Sequence, residues 1–300
     1  MKILLTGRNG QVGFELQRAL MPLGEVVAPG RSTLDLANEG PLRALVRELR
    51  PDVIVNAAAY TAVDQAESDR AAALAINAGV PRILGEEAAR LGALVLHFST
   101  DYVFNGEQDE PYTERDAPDP RNVYGLGKWQ GEQALARACG RHLILRTSWV
   151  LGAHGRNFAR TVLGLARERA GFGVVADQYG APTSAALLAD ISAHLLRQYR
   201  RDRGIEFGTW HVAAAGTTTW YDYARFVLAE AQAAGILLKA GPDAVQAIGT
   251  ADYPTAARRP RSSRLDTTRF CTTFGLRLPP WEEGVRQVLE QIFESARWPQ

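Results

Sequence analysis

The stretch KILLTGRNGQVGFELQRAL, Lys2 to Leu20, decides the fold. Lys2 to Thr6 is a short, nearly continuous apolar run, as expected of a strand covered on both faces. Gly7, Gly10 and Gly13 then interrupt it, and Val12, Leu16, Ala19 and Leu20 recur at helical spacing. Strand, glycine-rich turn and helix make up the opening unit of a dinucleotide-binding α/β fold. The turn lets a pyrophosphate approach the backbone, and the helix N-terminus offers it free N–H groups. The spacing is GxxGxxG rather than GxGxxG, and an ordinary strand-to-helix turn has the same composition, so this signal is weak alone.

The pattern repeats along the first half. Glu25–Ala28, Asp52–Asn56, Ala93–Phe98 and His142–Arg146 read as further strands. Helical sequence covers Pro41–Leu49, an alanine-rich span from about Ser68 to Leu91, and a helix from Tyr124 to about Arg137. Apolar strands alternating with helices predict an α/β, Rossmann-like, doubly wound parallel sheet. Residues 1–150 are expected to form an NAD(P)-binding domain. Residues 151–300 are expected to form mainly a smaller substrate-binding region, which returns a strand near Thr209–Ala213 to the main sheet. Helices are expected there near Phe158–Arg169, Ala185–Tyr199, Tyr221–Ala234 and Glu282–Ser295.

Composition narrows the function classes. A net charge of +1 with acids and bases interspersed leaves no footprint for nucleic acid or an anionic membrane. The N-terminal apolar run is too short for a signal peptide and no apolar stretch is long enough to span a bilayer, so a cytoplasmic protein is expected. Cys139 and Cys271 stand alone, and the histidines lack metal-ligand spacing.

The chemistry concentrates in a chain where only Lys2, Lys128 and Lys239 are lysine. Tyr124 and Lys128 are four apart on a helix and share a face. An ammonium ~5 Å from the phenol, at an effective dielectric of ~20, would favour the phenolate by about 3 kcal/mol, or roughly two pK units. That would make Tyr124 a usable general acid, and lysine is compact enough to hold ribose hydroxyls as well. Ser99-Thr100-Asp101-Tyr102 follows a strand on the same sheet edge, where the Thr100 hydroxyl could bond a substrate carbonyl.

Together these features resemble the extended short-chain dehydrogenase/reductases. NAAAYTAVDQAE (Asn56–Glu67), STDYVF (Ser99–Phe104), NVYG (Asn122–Gly125), RTSWV (Arg146–Val150), DQYGAPT (Asp177–Thr183) and RPRSSRLD (Arg259–Asp266) resemble the dTDP-4-dehydrorhamnose reductase family over essentially the whole chain. The resemblance implies Thr100, Tyr124 and Lys128 as catalytic residues. It implies Gly7, Gly10, Gln11, Val12, Asp35, Leu36, Ala59, Tyr60, Thr61 and Phe98 as cofactor contacts, beside Tyr124 and Lys128. It places Thr100, Asp101, Tyr124, Trp149 and Asn157 at the substrate, with Asn77 as a candidate for a proton path. The implied reaction is reduction of the C4 ketone of a dTDP-sugar, in the synthesis of polysaccharide precursors.

Departures from related patterns sharpen this. A dehydratase of this fold typically carries Thr-Asp-Glu where Tyr102 stands here. The end of the second strand lacks the acid that reads NAD ribose hydroxyls, and Arg31 there could face a 2′-phosphate, so NADPH is expected, with NADH as the alternative. The competing functions are another nucleotide-sugar reductase or epimerase of this fold, and a non-catalytic NADP-binding subunit like that regulating methionine adenosyltransferase, which has no need of an aligned proton donor. Some family members form dimers bridged by magnesium through three glutamates. Glu15 and Glu282 match two of those positions but Ala186 occupies the third, so no metal site and a monomer or weak homodimer are expected.

Overall fold

A computed structural model describes residues 1–202 and 205–295. The apolar runs assemble into a six-stranded sheet. Lys2–Thr6 (β1), Glu25–Val27 (β2), Val53–Asn56 (β3), Leu94–Thr100 (β4) and His142–Thr147 (β5) lie in the order β5-β4-β3-β1-β2, with Gly208–His211 added beside β5. Every neighbouring pair is parallel. All the carboxyl ends therefore share one edge, and the order reverses between β1 and β3, where open α/β sheets bind ligands.

Alternate residues of each strand feed two cores. Ile3, Leu5, Val55 and Leu96 meet Leu16, Leu20, Leu188 and Leu195 from helices Gln11–Leu20 and Ala185–Asp202. Leu4, Ile54 and Val95 meet Leu42, Val46, Ile83, Leu84 and Leu135 from helices Glu39–Leu49, Val80–Leu91 and Val123–Ala138. A third core lies in the second half, where Val162, Leu163, Val227, Leu228, Val285 and Leu289 join helices Phe158–Glu168, Trp220–Ala233 and Trp281–Ser295. Among the described residues no helix is long and apolar enough to cross a membrane.

Two local readings change. The helix expected over 68–91 is broken at Asp69, whose φ of −112° and ψ of 49° leave the helical region, and a π turn occupies Ala75–Gly79. That turn carries Asn77 inward, where Oδ1 accepts from Tyr60 N at 2.9 Å and Nδ2 donates to Tyr60 O at 3.1 Å. Alanine-rich periodicity cannot mark a π turn, because the same residues suit both geometries. In addition, β4 runs through Thr100, so Ser99 and Thr100 are strand residues paired with Arg146 and Thr147 rather than members of a following loop.

Candidate active site

A cleft of about 860 Å³ runs along the carboxyl edge, within the range of small-molecule sites. At one end the glycine turn crosses from β1 to the helix. Gly7 has φ +80°, and a Cβ there would sit 2.5 Å from Ala58 N, so the turn packs directly on the chain leaving β3. The helix begins at Gln11 with no side-chain cap and no acid in its first turn, leaving backbone N–H groups open to an anion.

At the other end stand the hydroxyls. Asn122 caps helix Val123–Ala138 by accepting from Gly125 N at 2.8 Å, while its amide donates to Arg258 O at 2.9 Å. A Cβ on Gly125 would lie 2.1 Å from Tyr102 O, so only glycine lets this helix approach the end of β4 closely enough to bring Tyr124 to Thr100. Thr100 Oγ1 donates to Asp101 Oδ1 at 2.9 Å and accepts from Tyr102 N at 3.2 Å. Burial pushes the Tyr124 phenol well above its ordinary value, and hydrogen bonding with Thr100 draws it partly back.

The expected depression of Tyr124 by Lys128 is absent, for a geometric reason. Lys128 Nζ donates to Phe98 O at 2.6 Å and lies 3.2 Å from His97 Nε2, so its charge is directed under the sheet edge. Lys128 itself, 2% exposed, is lowered by burial from 10.5 to about 8, with Glu132 opposing the shift.

Burial also raises the Asp101 carboxyl from 3.8 to about 6, against the Ser263 and Thr100 hydroxyls. Asp101 Oδ2, Ser99 Oγ and Thr147 Oγ1 are buried without a hydrogen-bond partner, and all three residues line the cleft. Such orphans are costly unless a ligand completes them. Trp149 also lines it, half-buried and stacked on Trp220 at 3.6 Å, with φ of +46°. A bulky side chain in the left-handed region is strained, and strain of this kind collects at functional sites.

The cleft brings together Gly7, Gly10, Gln11, Val12, Arg31, Asp35, Leu36, Ala59, Thr61, Phe98, Thr100, Asp101, Tyr124, Lys128 and Trp149. Tyr60 and Asn157 lie outside its lining. The Tyr60 hydroxyl donates to Asp69 Oδ2 at 3.1 Å. Asn157 caps helix Phe158–Glu168 and donates to Gly152 O at 2.7 Å and to Gln11 Oε1 at 3.2 Å, which leaves its side chain fully engaged. Asn77 is likewise occupied with Tyr60. Several lining residues escaped the sequence reading, among them Thr147, Arg156, Trp220 and Arg8, whose Nη1 reaches Ala28 O at 3.0 Å beside Arg31. Arg8 lies inside the glycine turn, whose position the sequence does mark, but nothing in sequence pairs Trp220 with Trp149. Among the described residues, no cluster of three metal-ligating side chains occurs, and Glu15 lies 3.7 Å from Arg18.

The RmlD substrate binding domain family matches residues 1–293. The chain is 49% identical over 299 residues to the dTDP-4-dehydrorhamnose reductase of Escherichia coli K12, covering 98% of this chain and 99% of that one. A crystal structure of a dTDP-4-dehydrorhamnose reductase from Clostridium acetobutylicum superposes with a TM-score of 0.88 at 34% identity, covering 97% of this chain and 99% of that one. The Bacillus anthracis enzyme of the same name, solved in complex with NADP, gives 0.86 at 34% identity, with 98% and 99% covered.

Proposed function

The chain belongs to the dTDP-4-dehydrorhamnose reductase family, and from that premise we propose that it uses NADPH to reduce the C4 ketone of dTDP-4-dehydro-L-rhamnose (dTDP-6-deoxy-L-lyxo-4-hexulose) to dTDP-L-rhamnose. The observation that carries this reading is the convergence of Thr100, Tyr124 and Lys128 with the unpartnered Asp101 Oδ2 in one cleft that also holds the uncapped glycine turn. The same reading places the enzyme in the cytoplasm, as a monomer or weak homodimer without a metal.

The residues fit the cofactor. The open N–H groups at Gln11 and Val12 suit a pyrophosphate, and Arg31 with Arg8 supplies positive charge beyond β2, where a 2′-phosphate would lie. The orphaned hydroxyls of Ser99 and Thr147 provide donors at the other end. When bound there, NADPH supplies the hydride. Lys128 holds ribose oxygens, and Thr100 orients the substrate carbonyl through its hydroxyl, a rotor that otherwise donates to Asp101. Tyr124 gives its phenolic proton to the oxygen that becomes the new hydroxyl, so one O–H bond breaks as another forms. Its high pKa is suited to this step, because a phenol that stays protonated at neutral pH is a ready donor to an alkoxide, a far stronger base. Asp101 accepts from sugar hydroxyls, and the Trp149–Trp220 pair walls the cleft and excludes water.

Mixing the protein with this 4-keto sugar nucleotide and NADPH tests the reading. Nicotinamide absorbance should fall with formation of dTDP-L-rhamnose, and no oxidation above the substrate-free rate would overturn it.

A further inference from the structure

Beneath the cleft runs a row of buried polar groups that leads to Lys128, and two of its members, Asn56 and His97, have no part in the reaction as described. Thr6 Oγ1 donates to Asn56 Oδ1 at 2.6 Å, and Ala58 N donates to the same oxygen at 3.2 Å. Asn56 Nδ2 lies 3.0 Å from His97 Nδ1, and His97 Nε2 lies 3.2 Å from Lys128 Nζ. Thr6, Asn56, His97 and Lys128 are at most 2% exposed, so none can turn to bulk water instead.

Counting donors and acceptors fixes the protons. The Ala58 N–H can only donate, so the Asn56 atom facing it is oxygen and the one facing His97 is the NH₂ group. That group can only donate, so His97 Nδ1 accepts and the neutral ring carries its proton on Nε2. This N–H points at Lys128 Nζ. An ammonium has no lone pair to receive it, whereas a neutral amine does.

We propose that His97, held in its Nε2–H tautomer by Asn56, is a positioning residue that offers an N–H to Lys128 Nζ and so favours the neutral amine of Lys128 over the ammonium.

The surrounding groups leave this bias in place. Phe98 O accepts from Nζ at 2.6 Å in either charge state. Glu132, on the same helix as Lys128, favours the ammonium, but its carboxylate is engaged by Arg146 at 2.6 Å from β5. On the His97 ring itself, burial and the charge of Lys128 disfavour the imidazolium, and a backbone hydrogen bond with Asn56 from β3 opposes them. Burial keeps His97 neutral, well below 6.5, and moves Lys128 in the same direction as the ring does. Lys128 thus changes charge near physiological pH, where a solvated lysine would not. Only the kinetic consequence rests on the proposed function: kcat/KM should decline as pH rises through the Lys128 pKa.

The scarcity of lysine makes a direct test available. Full-length protein labelled at lysine Cε gives signals from Lys2, Lys128 and Lys239 alone, and ¹⁵N labelling reports the ring protons of five histidines. The expected result is a proton on His97 Nε2, with Lys128 titrating below the other two lysines. Asn56→Asp puts an acceptor opposite Nδ1, so it should move the ring proton to Nδ1 and raise the Lys128 titration by about one unit. The alkaline limb of kcat/KM should move with it. A proton on Nδ1 in the unmodified protein overturns the proposal. So does a moved ring proton without a change at Lys128, or a change at Lys128 without a moved ring proton, which would be the new carboxylate acting by charge alone. If Asn56→Asp does not fold, the tautomer of the unmodified protein decides. The expected signals in a protein that oxidises no NADPH would leave this proposal standing while the proposed function fails.

Discussion

Replacing Asp101 by asparagine should make the protein more stable and less active, and the gain in stability should depend on pH. The carboxyl is 3% exposed, and burial raises it from 3.8 to about 6. A group whose folded pKa is raised contributes its full stability below the unfolded pKa and loses that contribution as pH rises through the folded one. Two units at 1.36 kcal/mol each make ionised Asp101 a liability of about 3 kcal/mol by pH 8, and only a few tenths of that remain at pH 4. The asparagine side chain would keep an oxygen for Thr100 and carry no charge, so the variant should gain about 2 kcal/mol more over the parent at pH 8 than at pH 4. Urea denaturation of both proteins at the two pH values measures this difference. Meanwhile kcat/KM should fall roughly 10- to 100-fold, the range for losing a hydrogen bond to a charged group. The same stability difference at both pH values would refute the account of Asp101 as a destabilising carboxylate kept for its ligand.

Tyr124→Phe removes the phenolic proton but keeps the ring, so kcat should drop by at least ~10²-fold while cofactor affinity, read by fluorescence titration, is nearly unchanged. Parental turnover would mean that the proton comes from elsewhere. Lys128→Arg keeps the charge but must fit a planar fork where Nζ sits 2.6 Å from Phe98 O; weaker NADPH binding and lower activity are expected, and normal kinetics would show that charge alone suffices. Trp149→Ala should raise KM for the sugar nucleotide on the order of tenfold with little change in kcat, since a stacked indole supplies contact area rather than proton transfer. An unchanged KM would make Trp149 a packing residue.

The fold was legible because parallel strands buried on both faces leave apolar runs that need no partner information to recognise. The cleft was legible where function writes residue types at fixed spacing, as with Tyr124 and Lys128 four apart. What escaped depends on orientation. Sequence placed Lys128 beside Tyr124, but only the folded chain shows Nζ turned toward Phe98 O and His97, which removes the expected influence on the phenol. Asn157 and Tyr60 followed family motifs yet have their side chains committed to a helix cap and to Asp69. The Trp149–Trp220 stack joins residues 71 positions apart across two elements, beyond the reach of local pattern.

Gly208–His211 gives the sheet its outer strand from beyond the midpoint of the chain, paired with β5 over four residue positions. The ribosome must therefore release more than two-thirds of the polypeptide before β5 can lose its open edge. Until then that edge is a template for pairing with another chain. Trp220, which closes on Trp149, follows only nine residues after that strand, so the sheet's last strand and this wall of the cleft leave the ribosome in close succession. Once made, the same ladder ties the second half of the chain to the main sheet through backbone hydrogen bonds.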